Sequence, residues 1–115
     1  MHELSIAQNI VETVYNHVSE EQLSLVTAIT VEVGAASGVV ADSLCFAFDA
    51  LKEQVPFCSA DLKIIAVPFV VQCHECGKQS QNDAGLMICM HCGSTEVTIV
   101  SGTELIVKHI EVADV

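Results

Sequence analysis

Two cysteine pairs carry the clearest chemistry in this chain: Cys73-His74-Glu75-Cys76-Gly77 and Cys89-Met90-His91-Cys92-Gly93, separated by the twelve residues Gly77 to Ile88. Two residues between paired cysteines let both thiolates of one turn face a single ion about 2.3 Å away. A glycine after the second cysteine permits the left-handed backbone that such tight knuckles favour. Two knuckles complete a tetrahedron, and the spacer is long enough for a return hairpin. Zinc is the first expectation; rubredoxin-type iron and a reversible dithiol pair are the alternatives. Iron of that type would want aromatic shielding, which the insert lacks apart from Phe69. Four thiolates close the coordination sphere, so the expected ion is structural and leaves no position for a catalytic water. His74 and His91 could each displace a thiolate or donate a hydrogen bond to one, or be plain polar loop residues. Cys45 reads as a small buried hydrophobe and Cys58 as a loop or strand-edge residue.

The second chemical feature is Met1-His2-Glu3. The amine of Met1, the following backbone nitrogens and the His2 imidazole lie in one chelating stretch, and divalent nickel accepts nitrogens in square-planar geometry. The competing reading is an exposed polar residue at the start of the first helix. His17 and His109 read as surface residues.

These groups need elements to position them. Residues 3–20 read as an amphipathic helix, with Leu4, Ala7, Val11, Val14 and Val18 at steps of three and four. Residues 25–33 alternate and are β-branched, predicting a strand that Gly34 stops. A second helix is expected over about 41–54, with Leu44, Phe48 and Leu51 on one face and Asp42 in its first turn. A strand follows over 61–67. From Phe69 to Val100 the character changes to a small insert of hairpins around the cysteines. Residues 103–112 then alternate as a long strand that should rejoin the first sheet. The expected fold class is therefore α+β: a small sheet with two helices on one face, plus an inserted zinc-ribbon-like subdomain with a four-cysteine site. Residues 1–68 and 101–115 would form the first, discontinuous domain, and 69–100 the second.

Composition narrows the function. The 115 residues are 51% hydrophobic, enough for a core, and only 17% charged. Four Lys+Arg against fifteen Asp+Glu give a formal net charge of −11, too few cations to clamp a phosphate backbone, so nucleic acid is excluded as a partner. An acidic surface suits metal cations and basic proteins. No apolar run reaches the roughly 18 residues of a membrane span, and the start has no basic segment of a secretory signal, so a cytoplasmic protein is expected. With no export signal, six cysteines point to a metal rather than to disulfides. No nucleophile–base constellation, phosphate loop or H-E-x-x-H is present, so no enzyme is expected.

Several stretches together resemble the hydrogenase-maturation nickel metallochaperones of the HypA/HybF family. They are Met1-His2-Glu3-Leu4-Ser5-Ile6-Ala7, Val31-Glu32-Val33-Gly34 leading to Ser37-Gly38-Val39, Leu44 with Phe46-Ala47-Phe48, the paired cysteines, and Gly102 to Val112. The likeness covers essentially the whole chain in order. It implies Ni(II) held at the N-terminus by the His2 side chain and backbone nitrogen, with Met1 and Glu3 contributing main-chain atoms. It implies structural Zn(II) on Cys73, Cys76, Cys89 and Cys92. It further implies nickel insertion into [NiFe] hydrogenase, with a nickel-handling maturation GTPase and the hydrogenase large subunit as partners. Some members also serve urease. Asp42 lies near the nickel loop, but no motif assigns it as a ligand. A homodimer is left open, and the rival reading is a zinc-ribbon adaptor that binds proteins without delivering nickel.

Overall fold

The first helix, α1 (Glu3–His17), forms where apolar residues recur on one stripe: Ile6, Ala7, Ile10 and Val14 are buried. Glu3 in its first turn and His17 in its last both suit the helix dipole. The helix ends three residues earlier than its hydrophobic period suggests. The Val18 N–H still reaches the Val14 carbonyl at 3.0 Å, but Ser19 turns extended and Glu20–Leu25 form a 3-10 helix that buries Leu23. Six residues of 3-10 structure have no amphipathic period to read. In this computed structural model, residues 3–82 and 84–114 are described.

The strand β1 (Val26–Gly34) occupies the middle of a three-stranded sheet, between β2 (Asp61–Val67) and the last strand, β6 (Leu105–Val112). The final strand thus does rejoin the first sheet. Residues 28–31 of β1 are all buried, as befits a central strand, whereas neither β2 nor β6 has a fully buried residue. In β2, Leu62 and Ile64 are half-buried while Asp61, Lys63 and Ile65 are exposed, the alternation of a strand covered on one face. The second helix, α2 (Ala41–Lys52), buries Leu44, Ala47 and Phe48 and packs on α1. Its end is tied by Lys52, whose Nζ pairs with Asp49 at 3.2 Å and donates to the Ala60 carbonyl at 3.4 Å. Phe57, fully buried in the turn after α2, meets Tyr15 edge-on at 5.6 Å between ring centroids.

Contacts divide the chain into two compact units: Met1–Val31, Val39–Ile65 and Ile106–Val115 form one, and Glu32–Gly38 with Ala66–Leu105 form the other. The second unit is wider than the stretch 69–100 that composition marks. Segment 32–38 joins it because Gly34 and Ala36 donate to the carbonyls of Glu104 and Gly102, both at 2.7 Å, and Ala35 donates to Val67 at 2.9 Å. These contacts are made by backbone, which composition does not register.

Within the second unit, β3 (Val70–Cys73) is flanked by β4 (Gln79–Gln81) and β5 (Val97–Ser101), antiparallel on both sides. Val71 faces Ser80 on one side and Ile99 on the other. Val33, Phe69, Val71, Cys73 and Cys89 are its buried apolar residues. That is a small core for a unit built from 32–38 and 66–105, and such units commonly need a staple. The two small sheets and two α-helices make the chain α+β. Among the described residues no helix is long and apolar enough to cross a membrane.

Candidate metal centre

The two knuckles fold alike. In each, the N–H of the first cysteine is bonded to the carbonyl five residues on: Cys73 to Lys78 at 3.0 Å and Cys89 to Ser94 at 2.8 Å. Gly77 and Gly93 both take φ of 77°, the left-handed conformation expected from their place after the second cysteine. Each first cysteine, Cys73 and Cys89, is buried, and each second, Cys76 and Cys92, is exposed.

The sulfurs cross-pair. Cys73 Sγ lies 3.6 Å from Cys92 Sγ, Cys76 Sγ lies 3.6 Å from Cys89 Sγ, and all four fall within 4.8 Å of one another. A tetrahedron of thiolates 2.3 Å from a central ion has edges of about 3.8 Å. The spacing of the donors therefore fits one four-coordinate ion with soft-ligand preference. Backbone N–H groups face the buried sulfurs, from Cys76 onto Cys73 and from His91 onto Cys89, both at 3.4 Å.

These surroundings split the thiols. The Cys76 N–H, aided by that of Glu75, holds Cys73 below the ordinary thiol range. The Cys92 N–H, with that of His91, brings Cys89 down to about 6. At Cys76 the Lys78 N–H pulls downward, but burial and the neighbouring sulfurs of Cys89 and Cys73 outweigh it, and the thiol rises. Cys92 also feels one lowering contact, from the Ser94 N–H. Repulsion from the Cys73 sulfur, burial, and the sulfurs of Cys89 and Cys76 override that contact and push it up to about 12. Four thiolates this close cannot all ionise unaided; a divalent cation would remove the conflict.

The flanking groups hold the loops rather than adding ligands. Ser80 Oγ accepts from the Met90 N–H at 3.2 Å. Asn82 clamps the following turn, giving Nδ2 to the Leu86 carbonyl at 2.9 Å and accepting the Leu86 N–H at 2.8 Å. Both side chains are nearly buried, a role that their sequence neighbourhood does not signal. The imidazoles of His74 and His91 stand outside the sulfur cluster: His74 Nε2 bonds to Thr98 Oγ1, and His91 Nε2 lies 3.3 Å from the Gln79 carbonyl.

The nickel-site expectation falls partly beyond view, since Met1 and His2 lie outside the described residues. Glu3 opens α1, and its Oε2 accepts the Val40 N–H at 3.4 Å. Val40 is the N-cap of α2 and has no side-chain oxygen to offer the first-turn N–H groups; Glu3, from another helix, accepts the N–H of Val40 itself. Asp42 is exposed in the first turn of α2. Cys45 is only half-buried, not the fully buried hydrophobe expected, because α2 turns Leu44 and Phe48 fully inward and leaves Cys45 at the edge of that face; burial and the nearby Asp49 and Asp42 carboxylates raise its thiol. Cys58 is exposed in the turn after α2, and His109 is exposed on β6. His17 is exposed at the end of α1, its Nδ1 2.9 Å from the Thr13 carbonyl.

Comparison with known proteins places this arrangement. A family model described as "Hydrogenase/urease nickel incorporation, metallochaperone, hypA" matches residues 1–112. Hydrogenase maturation factor HypA of Chlorobium phaeobacteroides (strain BS1) is 36% identical over 112 residues, covering 97% of this chain and 99% of the relative. The factor of the same name from Chloroflexus aggregans is 39% identical over 106 residues, covering 91% and 93%. In fold, the chain is similar to the solution structure of the nickel metallochaperone HypA from Helicobacter pylori, with a TM-score of 0.68 at 24% identity and 97% of each chain covered. A match along the whole chain, to a family model and to relatives of full length, makes this chain a member of the HypA family, nickel metallochaperones of hydrogenase maturation and not enzymes.

Proposed function

We propose that this chain carries Ni(II) on its first residues and passes it to [NiFe] hydrogenase, while Cys73, Cys76, Cys89 and Cys92 hold a structural Zn(II). The observation that carries the reading is the separation of donor types. Four sulfurs at tetrahedral spacing suit zinc and leave no open position, so the transported ion needs other ligands. The nitrogens of Met1, His2 and Glu3, with the His2 imidazole, are the set that nickel favours. In this reading residues 1–68 and 101–115 serve nickel, and 69–100 serve zinc. The zinc supplies the staple for a unit whose own apolar core is small. A carrier must gather nickel and also release it, and a few ligands at a chain terminus meet both needs better than a buried cage.

The receivers in this reading are the hydrogenase large subunit and a nickel-handling maturation GTPase, met in the cytoplasm. The deciding experiment is a nickel titration of protein with an authentic, unextended N-terminus, comparing wild type with His2→Ala. The expected result is loss of nickel binding with unchanged far-UV circular dichroism and one retained equivalent of zinc. Unchanged nickel affinity in the variant would refute the N-terminal site.

A further inference from the structure

The least buried large apolar side chain among the described residues is Phe46, at 77% exposed. It lies on α2 two residues before Phe48, which is fully buried. The outer face of α2 runs through Asp42, Ser43, Phe46, Asp49, Ala50 and Glu53, all exposed, at the i, i+3, i+4 and i+7 spacing of one helical stripe. Every charge on that stripe is negative. The basic side chain on α2, Lys52, is half-buried and already engaged by Asp49 and the Ala60 carbonyl. At the start of the helix, Val40 (57% exposed) meets the Glu3 carboxylate through its N–H, and Leu4 next to Glu3 is 51% exposed. Phe46 lies six residues beyond Val40, roughly 9 Å along the axis at 1.5 Å per residue.

We infer that this face, with Phe46 at its centre and Asp42, Asp49 and Glu53 along the same stripe, is the surface on which a nickel-accepting protein docks through an apolar pocket rimmed by Lys or Arg. The inference rests on the proposed nickel delivery. Charge selects the occupant. A second copy of a chain with net charge −11 would set acidic stripe against acidic stripe. An anionic membrane would repel the same surface. A basic-rimmed protein surface is attracted at long range, and the phenyl ring then supplies the desolvated anchor that commonly dominates such contacts. Position gives a second reason. Glu3, whose carboxylate accepts the Val40 N–H just before α2, is the last residue of the stretch proposed to hold nickel, so a partner seated on α2 would sit near the Glu3 end of that stretch.

The test uses the full chain with its native N-terminus and two purified probes, the maturation GTPase and the nickel-free hydrogenase large subunit of the same organism. Phe46→Ala keeps a strong helix former at an exposed position, so helical content and nickel affinity should match wild type. Its affinity for at least one probe should fall by about tenfold or more. Phe46→Leu should recover most of that loss. Glu53→Lys should weaken the same complex and flatten its salt dependence. Wild-type affinity of Phe46→Ala for every probe that the wild type binds would overturn the docking surface while leaving nickel delivery intact. Binding of neither probe by the wild type would overturn both. A change in oligomeric state on Phe46→Ala, read by sedimentation, would assign the face to self-association and also overturn the proposal.

Discussion

At the scale of single residues, the four sulfurs are unequal although their motifs are nearly identical. Backbone N–H groups stabilise the thiolates of Cys73 and Cys89, while burial and neighbouring sulfurs raise the Cys76 thiol and neighbouring sulfurs and burial raise that of Cys92, so both are thiols at neutral pH. A tetrathiolate ion needs all four deprotonated. Metal uptake at pH 7 should therefore expel at least two protons, those of Cys76 and Cys92, and affinity should rise as pH increases. Below about 6 the Cys89 thiol must also be deprotonated, so the dependence steepens on the acid side. Zinc calorimetry in buffers of different ionisation heat should give a positive proton release that grows from pH 7 towards pH 5.5. A heat independent of buffer would contradict the four-thiolate assignment.

At the scale of elements, one glycine decides how β3 meets the turn before β6. Gly102 has φ of +110°, and a Cβ there would lie 2.4 Å from the Phe69 Cα and 2.8 Å from its Cβ. Backbone, not a movable side-chain tip, is in the way. Gly34 has the matching problem, since its Cβ would come within 2.1 Å of the Gly102 carbonyl oxygen. Gly102→Ala combines an unfavourable φ with an overpacked contact and should destabilise by about 2–4 kcal/mol. Gly38 also has positive φ (+81°), but its Cβ would meet nothing within 4 Å, so Gly38→Ala should cost only about 1–2 kcal/mol. Urea titration of the variants in the presence of added zinc would measure the gap; equal midpoints would show that the Phe69 contact relaxes freely. The sequence marked 69–100 as an insert from composition but carried no sign of this backbone contact, because a glycine beside a strand has many possible reasons.

At the scale of the whole molecule, the two units rest on different forces. The first has a hydrophobic core of Ile6, Ile10, Val14, Leu44, Phe48 and Phe57. In the second, two of the few buried apolar positions are the cysteines themselves. With the proposed zinc as its staple, the second unit should be the first to melt when the metal is chelated. Hydrogen exchange after chelation should collapse in β3, β4 and β5 while the amides of α1 and α2 stay protected. Uniform loss of protection along the chain would mean that the units unfold as one.

The sequence alone determined what depends on neighbours in the chain. The candidate metal-holding set of four cysteines follows from two residues between cysteines and a glycine after each pair. The α1 stripe follows from a backbone period of 3.6, and the family likeness follows from short motifs in order; the alternation read for β1 gave way to continuous burial over 28–31, because a central strand is covered on both faces. Tertiary structure decided what depends on residues distant in sequence. It buries Cys73 and Cys89 but leaves Cys76 and Cys92 in solvent, ties the Val40 N–H before α2 to Glu3 from thirty-seven residues away, and draws segment 32–38 into the cysteine-bearing unit. Such features are set by which surfaces and backbone groups finally face each other, and local residue types do not encode that.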